Sequence, residues 1–449
     1  MLFSFVSYSQ SDLRPIDKEE GMRNAQKAEP KTGISENRNS DDIDLHAYNN
    51  KVESPQYFND KMLLGSSYNQ RNVRITAAFN GWLYTAYSTY DPYSNAGGMT
   101  IQCSKNGGLF WYMLDNFTQP NIQYNVFDIV IAGTDTNNLV LYLAAVGTNT
   151  FSNTNTMNFV KYDGRTGAYL GTFGNYIAYG SRKVYDVAIA SDYKFPSSVS
   201  TPYSIGVLYS VYGSTRDSVI FVASTNGGAS LNVRQPIFTT VAYCRDVSLD
   251  YGRSLTYSNG RYFAAWESVS SSSARNANIY TARNLSAING VWTAPRNLDS
   301  LDSGMQGKCR RPSIAVQQNN VNNDSTNVTA VILVDRDFNG NGTDYDILGF
   351  YNRRAASNFN WKRLDIVNTS ATYDMQPDIV FDSGNNNFRA VYYDSTGSKL
   401  PQKTNGMNLT NTNLWTTITS QYNDLTTNLK QAWPRIDVNP CLLYTSRCV

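Results

Sequence analysis

The sequence predicts an all-β fold, and three observations point there. The palette is that of strands joined by polar turns: 32 Tyr, 30 Gly and 41% hydrophobic residues stand beside only 16% charged ones. Aromatic and β-branched side chains favour pleated strands, while Gly, Asn and Ser favour the turns between them. A β-branched anchor preceded by a polar residue recurs as VRIT (73–76), FDIV (127–130), YDVA (185–188), RDVS (245–248), PSIA (312–315), PDIV (377–380) and PRID (434–437). Around the fourth anchor, strand-like GRYFAAWES (260–268), NIYTARN (278–284) and GVWTAP (290–295) follow the opening strand, separated by Ser, Asn and Gly turns.

The anchors are Ile75, Ile129, Val187, Val247, Ile314, Ile379 and Ile436, spaced by 54, 58, 60, 67, 65 and 57 residues. A repeat of that length cannot hide its apolar faces alone, so neighbouring repeats must stack. Four short antiparallel strands per repeat fit radial blades better than a solenoid, whose repeats are shorter. The expectation is a β-propeller with six complete four-stranded blades and the start of a seventh. A ring truncated after Ile436 would leave one sheet edge exposed.

Four segments follow from composition. Residues 1–10 carry the apolar run LFSFVSYSQ and read as a signal-peptide remnant, which places the protein outside the cell or on its surface. Residues 11–70 hold five of the six Glu and the single His, His46, and read as a polar leader or linker. Residues 71–440 are the propeller. Residues 441–449, CLLYTSRCV, share nothing with the preceding pattern and resemble a translated sequencing adapter.

Composition also excludes function classes. With 38 Lys and Arg against 36 Asp and Glu, the net charge of +2 gives no electrostatic basis for nucleic-acid binding. One His leaves Ser-His-Asp and multi-His metal chemistry without parts. No stretch is apolar enough for a transmembrane segment. Cys103, Cys244 and Cys309 remain once the tail is set aside; Cys244 and Cys309 occupy similar repeat positions and form the candidate disulfide, with free buried thiols the alternative.

SKNGGLFW (104–111) resembles the Asp-box turn of sialidase-like, BNR-type propellers, with Ser104, Gly108 and Trp111 in place and Asn106 standing where the family has Asp. STNGGASL (224–231) repeats it with Ser224, Asn226 and Gly228, ending in Leu231. The polar side chain caps turn amides, Gly supplies positive φ and the aromatic residue plugs the blade core. The resemblance implies exported bacterial propellers of that superfamily. A sialidase would need clustered arginines, a Tyr nucleophile paired with Glu, and an acid/base Asp. Glu267 is the only Glu in residues 71–440, and it reads as a structural carboxylate.

A ring of polar residues precedes the anchors: Arg74, Asp128, Asp186, Asp246, Ser313, Asp378 and Arg435, extended by Arg310 and Arg311. If the anchors sit on innermost strands, this ring forms a ligand-binding rim. Alternatively each Asp ties neighbouring blades through backbone amides. Asp128, Asp186, Asp246, Glu267 and Asp378 are the candidate catalytic carboxylates. DRDFNGNGTDYD (335–346) follows a calcium-loop grammar with Asp335, Asp337, Asn339, Thr343 and Asp346 as oxygen donors and Gly340 at the turn, so a structural Ca2+ is expected. Tyr262, Trp266 and Trp292 alternate with polar residues and read as core. These readings lead to a secreted or cell-surface module that binds glycan or protein, with an exo-acting glycoside hydrolase and a structural surface component as alternatives.

Overall fold

The computed structural model describes residues 69–419, except connecting segments at 92, 107–109, 134–135, 193–203, 214–215, 241–242, 255–259, 270–276, 286–290, 302–307, 321–327, 338–344, 356–359, 366–373, 383–386, 395–401 and 407–415, together with Asp437. The expected leader, His46 and the tail at 441–449 lie outside the described residues.

The chain is a β-propeller, and its described residues form six sheets that are antiparallel apart from one short parallel pairing. Their innermost strands are Asn69–Ala77, Ile122–Ala132, Val184–Ser191, Tyr243–Ser254, Cys309–Val316 and Asp374–Asp382, each followed outward by three strands. Blade two carries a second short outer strand, Ile177–Gly180, and Gln318–Asn320 pairs in parallel with the inner strand of blade four. Among the described residues no helix is long and apolar enough to cross a membrane.

Each blade buries both faces, and the sequence shows why. In the second strand of blade two, Val140–Asn149, Leu141, Leu143 and Ala145 pack toward blade one, whereas Tyr142, Ala144 and Val146 pack toward blade three. A strand covered on both sides reads as a continuous apolar run, with side chains alternating between the two interfaces. Five such cores lie between successive blades, from blades one and two to blades five and six. Tyr262 and Trp266 are fully buried, as their alternation predicts; Trp292 is half-buried against the same cluster.

The innermost strand is a sheet edge, so its axis-facing amides need acceptors from elsewhere. Neighbouring blades supply them. Ile131 donates to Thr76 Oγ1 at 3.4 Å, Ile189 to Asp128 Oδ2 at 3.0 Å and Val316 to Asp250 Oδ2 at 2.7 Å. Below these, the Ile314 amide donates to Ser248 Oγ and the Ile379 amide to Ser313 Oγ, whose hydroxyl in turn donates to Asp378. Asp437, next to the seventh anchor, accepts from the Ala77 amide at 2.8 Å. Asp437, the one described residue of the seventh repeat, thus meets the inner strand of blade one as Thr76 meets that of blade two.

Three sequence expectations shift. In blade four the residue matching the other anchors is Leu249, two positions beyond Val247, because pairing resumes at Ser248 opposite Ala265. The outer strand of that blade is Arg296–Asn297, while Trp292 makes only an isolated bridge to Asn284. The three cysteines are free and buried; Cys244 packs between blades three and four and Cys309 between blades four and five, so they do not pair.

Asp250→Ala removes a charged acceptor from the Val316 amide and should lower unfolding stability by about 1–3 kcal/mol. Urea denaturation checks this; an unchanged midpoint would contradict the role given to the inter-blade bonds.

Candidate functional site at the propeller mouth

Every inner strand carries a bulge shortly after it starts. Pairing slips between Arg71 and Arg74, Tyr124 and Val126, Val184 and Asp186, Arg245 and Ser248, Arg310 and Ser313, and Met375 and Asp378. Asn72, Asp246, Arg311 and Gln376 take positive φ of 53°, 47°, 50° and 58° there. A bulge inserts one unpaired residue and re-aims its neighbours. In the four blades with positive φ, the first residue paired after the bulge is Arg74, Ser248, Ser313 or Asp378.

These residues line a cavity of about 140 Å³ on the axis, together with Asp128, Asp186, Asp250 and Asp437 and with apolar neighbours that include Ile129, Val187 and Ile379. Arg74 Nε stands 3.5 Å from Asp128 Oδ1, the two side chains being 15% and 23% exposed, and the guanidinium lies 5.8 Å over the Phe127 ring. The expected rim residues Arg74, Asp128, Asp186 and Asp378 thus meet in one cavity. Arg435 lies outside the described residues. Thr76, Ser248, Asp250 and Asp437 were missed. Three of them follow a residue of the anchor type, a position that the reading of preceding residues did not inspect.

Asp246, Glu267, Arg310 and Arg311 do not line the cavity. They form a second cluster between blades four and five with Arg245, Asp335 and Tyr345. Arg245 Nε donates to Glu267 Oε2 at 2.8 Å and the Arg311 amide donates to Glu267 Oε1. Glu267 is fully buried, and burial raises its pKa well above the ordinary carboxylate value; the charge of Asp246 and a hydrogen bond with it push the same way, against Arg245. Asp335 is pushed up to about 8, mainly by burial, although the Arg310 guanidinium at 3.8 Å and the Gln376 amide at 2.6 Å favour its charged form. Arg311 Nη1 lies 3.0 Å from the same carboxylate. Arg310 donates to the Tyr345 hydroxyl at 3.1 Å. No described hydrogen bond joins Glu267 to a tyrosine, so the Tyr-Glu pairing of a sialidase is not seen among the described residues.

Around the expected calcium loop, Asn339, Gly340 and Thr343 lie outside the described residues. Asp335 and Asp337 belong to the strand Ala330–Asp337, where Arg336 pairs with Asp346. Opposed residues share a face, so Asp346 lies on the side opposite Asp335 and Asp337. Asp335 is turned to the arginines. Among the described residues no group of three His, Cys, Asp or Glu is arranged to hold a metal ion.

The two resembled turns cap themselves as expected, each between the third and fourth strands of a blade. Asn106 accepts from Ser104 Oγ at 3.0 Å and from the Phe110 amide at 2.8 Å. Ser224 accepts from the Gly228 amide at 2.9 Å, and Asn226 from the Ser230 amide at 3.0 Å. Gly228 has φ 74°, and Cβ there would sit 2.4 Å from the Tyr142 ring; Gly108 lies outside the described residues. Trp111 is only half-buried and does not plug the core, which Trp82 and Phe117 cover instead.

The raised carboxyl pKa values set a pH dependence. Between the ordinary Asp value of 3.8 and about 8, the folded protein holds a proton on Asp335 that the unfolded chain has lost. The native state then binds more protons, so this group's contribution to stability falls as pH rises through that window. Asp335→Asn should flatten the loss of stability between pH 5 and pH 8 in urea denaturation; an unchanged slope would contradict the assignment.

No family model matches the chain, and no curated protein matches it. Solved structures with a similar fold include an α-L-arabinofuranosidase from Fusarium graminearum, at 12% identity over 77% of this chain and 96% of that one, with a TM-score of 0.48. An α-L-arabinanase from Penicillium chrysogenum aligns at 13% identity over 73% and 90%, with a TM-score of 0.46. The NanB sialidase of Streptococcus pneumoniae aligns at 8% identity over 77% and 69%, with a TM-score of 0.46.

Proposed function

We propose that this propeller is a carbohydrate-binding protein whose axial cavity takes a sugar unit. The observation that carries the reading is the cavity itself: Arg74, Asp128, Asp186, Ser313 and Asp378 line one mainly polar cavity. Carboxylates accept hydrogen bonds from sugar hydroxyls, and the guanidinium donates to ring and hydroxyl oxygens. A phosphate-bearing ligand would meet several carboxylates there, and the near-neutral chain has no basic field to attract one.

A second reading is glycoside hydrolysis, favoured by the presence of Asp128, Asp186 and Asp378 in one cavity. Such chemistry needs two carboxyl groups flanking the scissile bond, one as acid and one as base or nucleophile. Asp128 Oδ2 accepts from the Ile189 amide and Asp378 Oδ1 from Ser313 Oγ. Asp186 and Asp378 are the pair to test.

A glycan array probed with the full chain tests the first reading. Saccharide binding should weaken about 10- to 100-fold in Arg74→Ala and in Asp186→Asn, the cost of one hydrogen bond to a charged group. Binding to no saccharide, or equal binding by both variants, would contradict it. Reducing-sugar release from the bound glycans, abolished in Asp186→Asn or Asp378→Asn, would support hydrolysis; its absence restricts the protein to binding.

A further inference from the structure

Two aromatic rings stand exposed at the end of the blades where the inner strands begin, and the same device holds both. Tyr93 follows the second strand of blade one, Leu83–Asp91, and is 99% exposed. Phe151 follows the second strand of blade two and is 80% exposed. Asp91 accepts from the Tyr93 amide at 2.9 Å and from Ser94 Oγ at 2.5 Å. Asn149 accepts from the Phe151 and Ser152 amides, each at 3.0 Å. Each ring is therefore carried by the residue two after a side chain that fixes the turn, which orders the backbone without burying the ring.

The loops are also fixed to each other. Asn95 Nδ2 donates to Thr150 Oγ1 at 2.9 Å and to Asn121 Oδ1 at 3.2 Å. The Asn121 amide donates to the Asn95 carbonyl and the Thr150 amide to the Asn121 carbonyl, both at 2.8 Å. Tyr90 OH donates to Asn95 Oδ1 at 2.9 Å. This frame lies at the end of the blades where the bulged inner strands begin, since Asn69 pairs with Tyr90 and Ile122 with Asn149. Arg74 and Asp128 belong to those same two inner strands.

Holding such rings in water gives the fold nothing, because neither fills a core. Tyr212 makes the contrast: it follows the second strand of blade three, but its face lies parallel to Tyr243 at 6.1 Å. The loops that carry Tyr93 and Phe151 are joined through the amides and hydroxyl of Asn95, Asn121 and Thr150. A protein-binding patch has a contiguous apolar core with polar groups at its rim. Rings separated by amides and hydroxyls instead match the alternation of a saccharide, whose C–H faces stack on aromatics and whose hydroxyl edges seek polar groups.

We propose that Tyr93, Phe151 and the Asn95–Asn121–Thr150 frame form a second saccharide subsite, and that the ligand is a chain of several sugar units extending from the axial cavity across blades one and two. This rests on the carbohydrate reading of the cavity and adds the chain length of the ligand. The exo-acting alternative, which needs only a terminal unit, gives way to recognition along a chain.

Length series of malto-, cello-, xylo- and arabino-oligosaccharides of one to six units, titrated calorimetrically against the full chain, test it. In the series that binds, affinity should rise at least tenfold from one unit to four. Tyr93→Ala and Phe151→Ala should each weaken binding of the four-unit ligand about 3- to 10-fold, the value of one aromatic contact, and leave the one-unit ligand unchanged. Both rings are exposed, so neither change threatens folding. Tyr93→Trp provides a direct optical readout: its emission should shift with the four-unit ligand and stay constant with one unit. Affinity independent of length, or wild-type affinity of both Ala variants at every length, would overturn the subsite while leaving the cavity reading intact. Binding of no series at any length would overturn both.

Discussion

The structure depends on how the axis-facing amides of six inner strands are satisfied. A four-stranded blade has two edges, and the inner one faces the axis, away from any fifth strand. Oxygen acceptors from the preceding blade solve this at Ile131, Ile189 and Val316, and Asp437 repeats the solution at Ala77. An edge amide left bare in the ring would cost more than the bond itself returns, since its desolvation would go uncompensated. The polar residues beside the anchors are therefore structural first. They also set the chemistry of the axis, because the same carboxylates line the cavity.

The bulges supply the second half of the arrangement. One extra residue at the start of each inner strand turns side chains such as Arg74 and Asp378 toward the axis, while the pairing beyond it stays regular. Arg311 and Asp246, on the bulges themselves, turn instead toward Glu267, whose burial between blades four and five would be unfavourable without Arg245 and the Arg311 amide. Cavity and buried cluster are thus two consequences of one backbone irregularity. The exposed rings of Tyr93 and Phe151 belong to the same end of the blades and extend the polar axis into a surface path.

Much of this was legible in the sequence. Blade number and the identity of most cavity residues followed from a polar residue next to a recurring β-branched anchor. Blade four was misread by two residues because Val247 and Leu249 project to the same face, and a period-two pattern cannot register one inserted bulge residue. Glu267 accepts from Arg245 and from the Arg311 amide, which come from different strands, and no local spacing brings them together. Of the calcium grammar at residues 335–346, Asn339, Gly340 and Thr343 lie outside the described residues, and strand pairing sets Asp335 and Asp346 on opposite faces. Trp111 was read from its place in a turn motif, and its burial depends on neighbours that the motif does not specify.

The inter-blade bonds are tested most directly by residue-resolved amide hydrogen exchange of the full chain. The Ala77, Ile131, Ile189 and Val316 amides face the axis with no strand beside them, so only the acceptors described here can protect them. Exchange slowed at all four to the level of the blade interiors is the predicted result. Rapid exchange at these amides, with the rest of each inner strand protected, would contradict a ring held together by side chains of neighbouring blades.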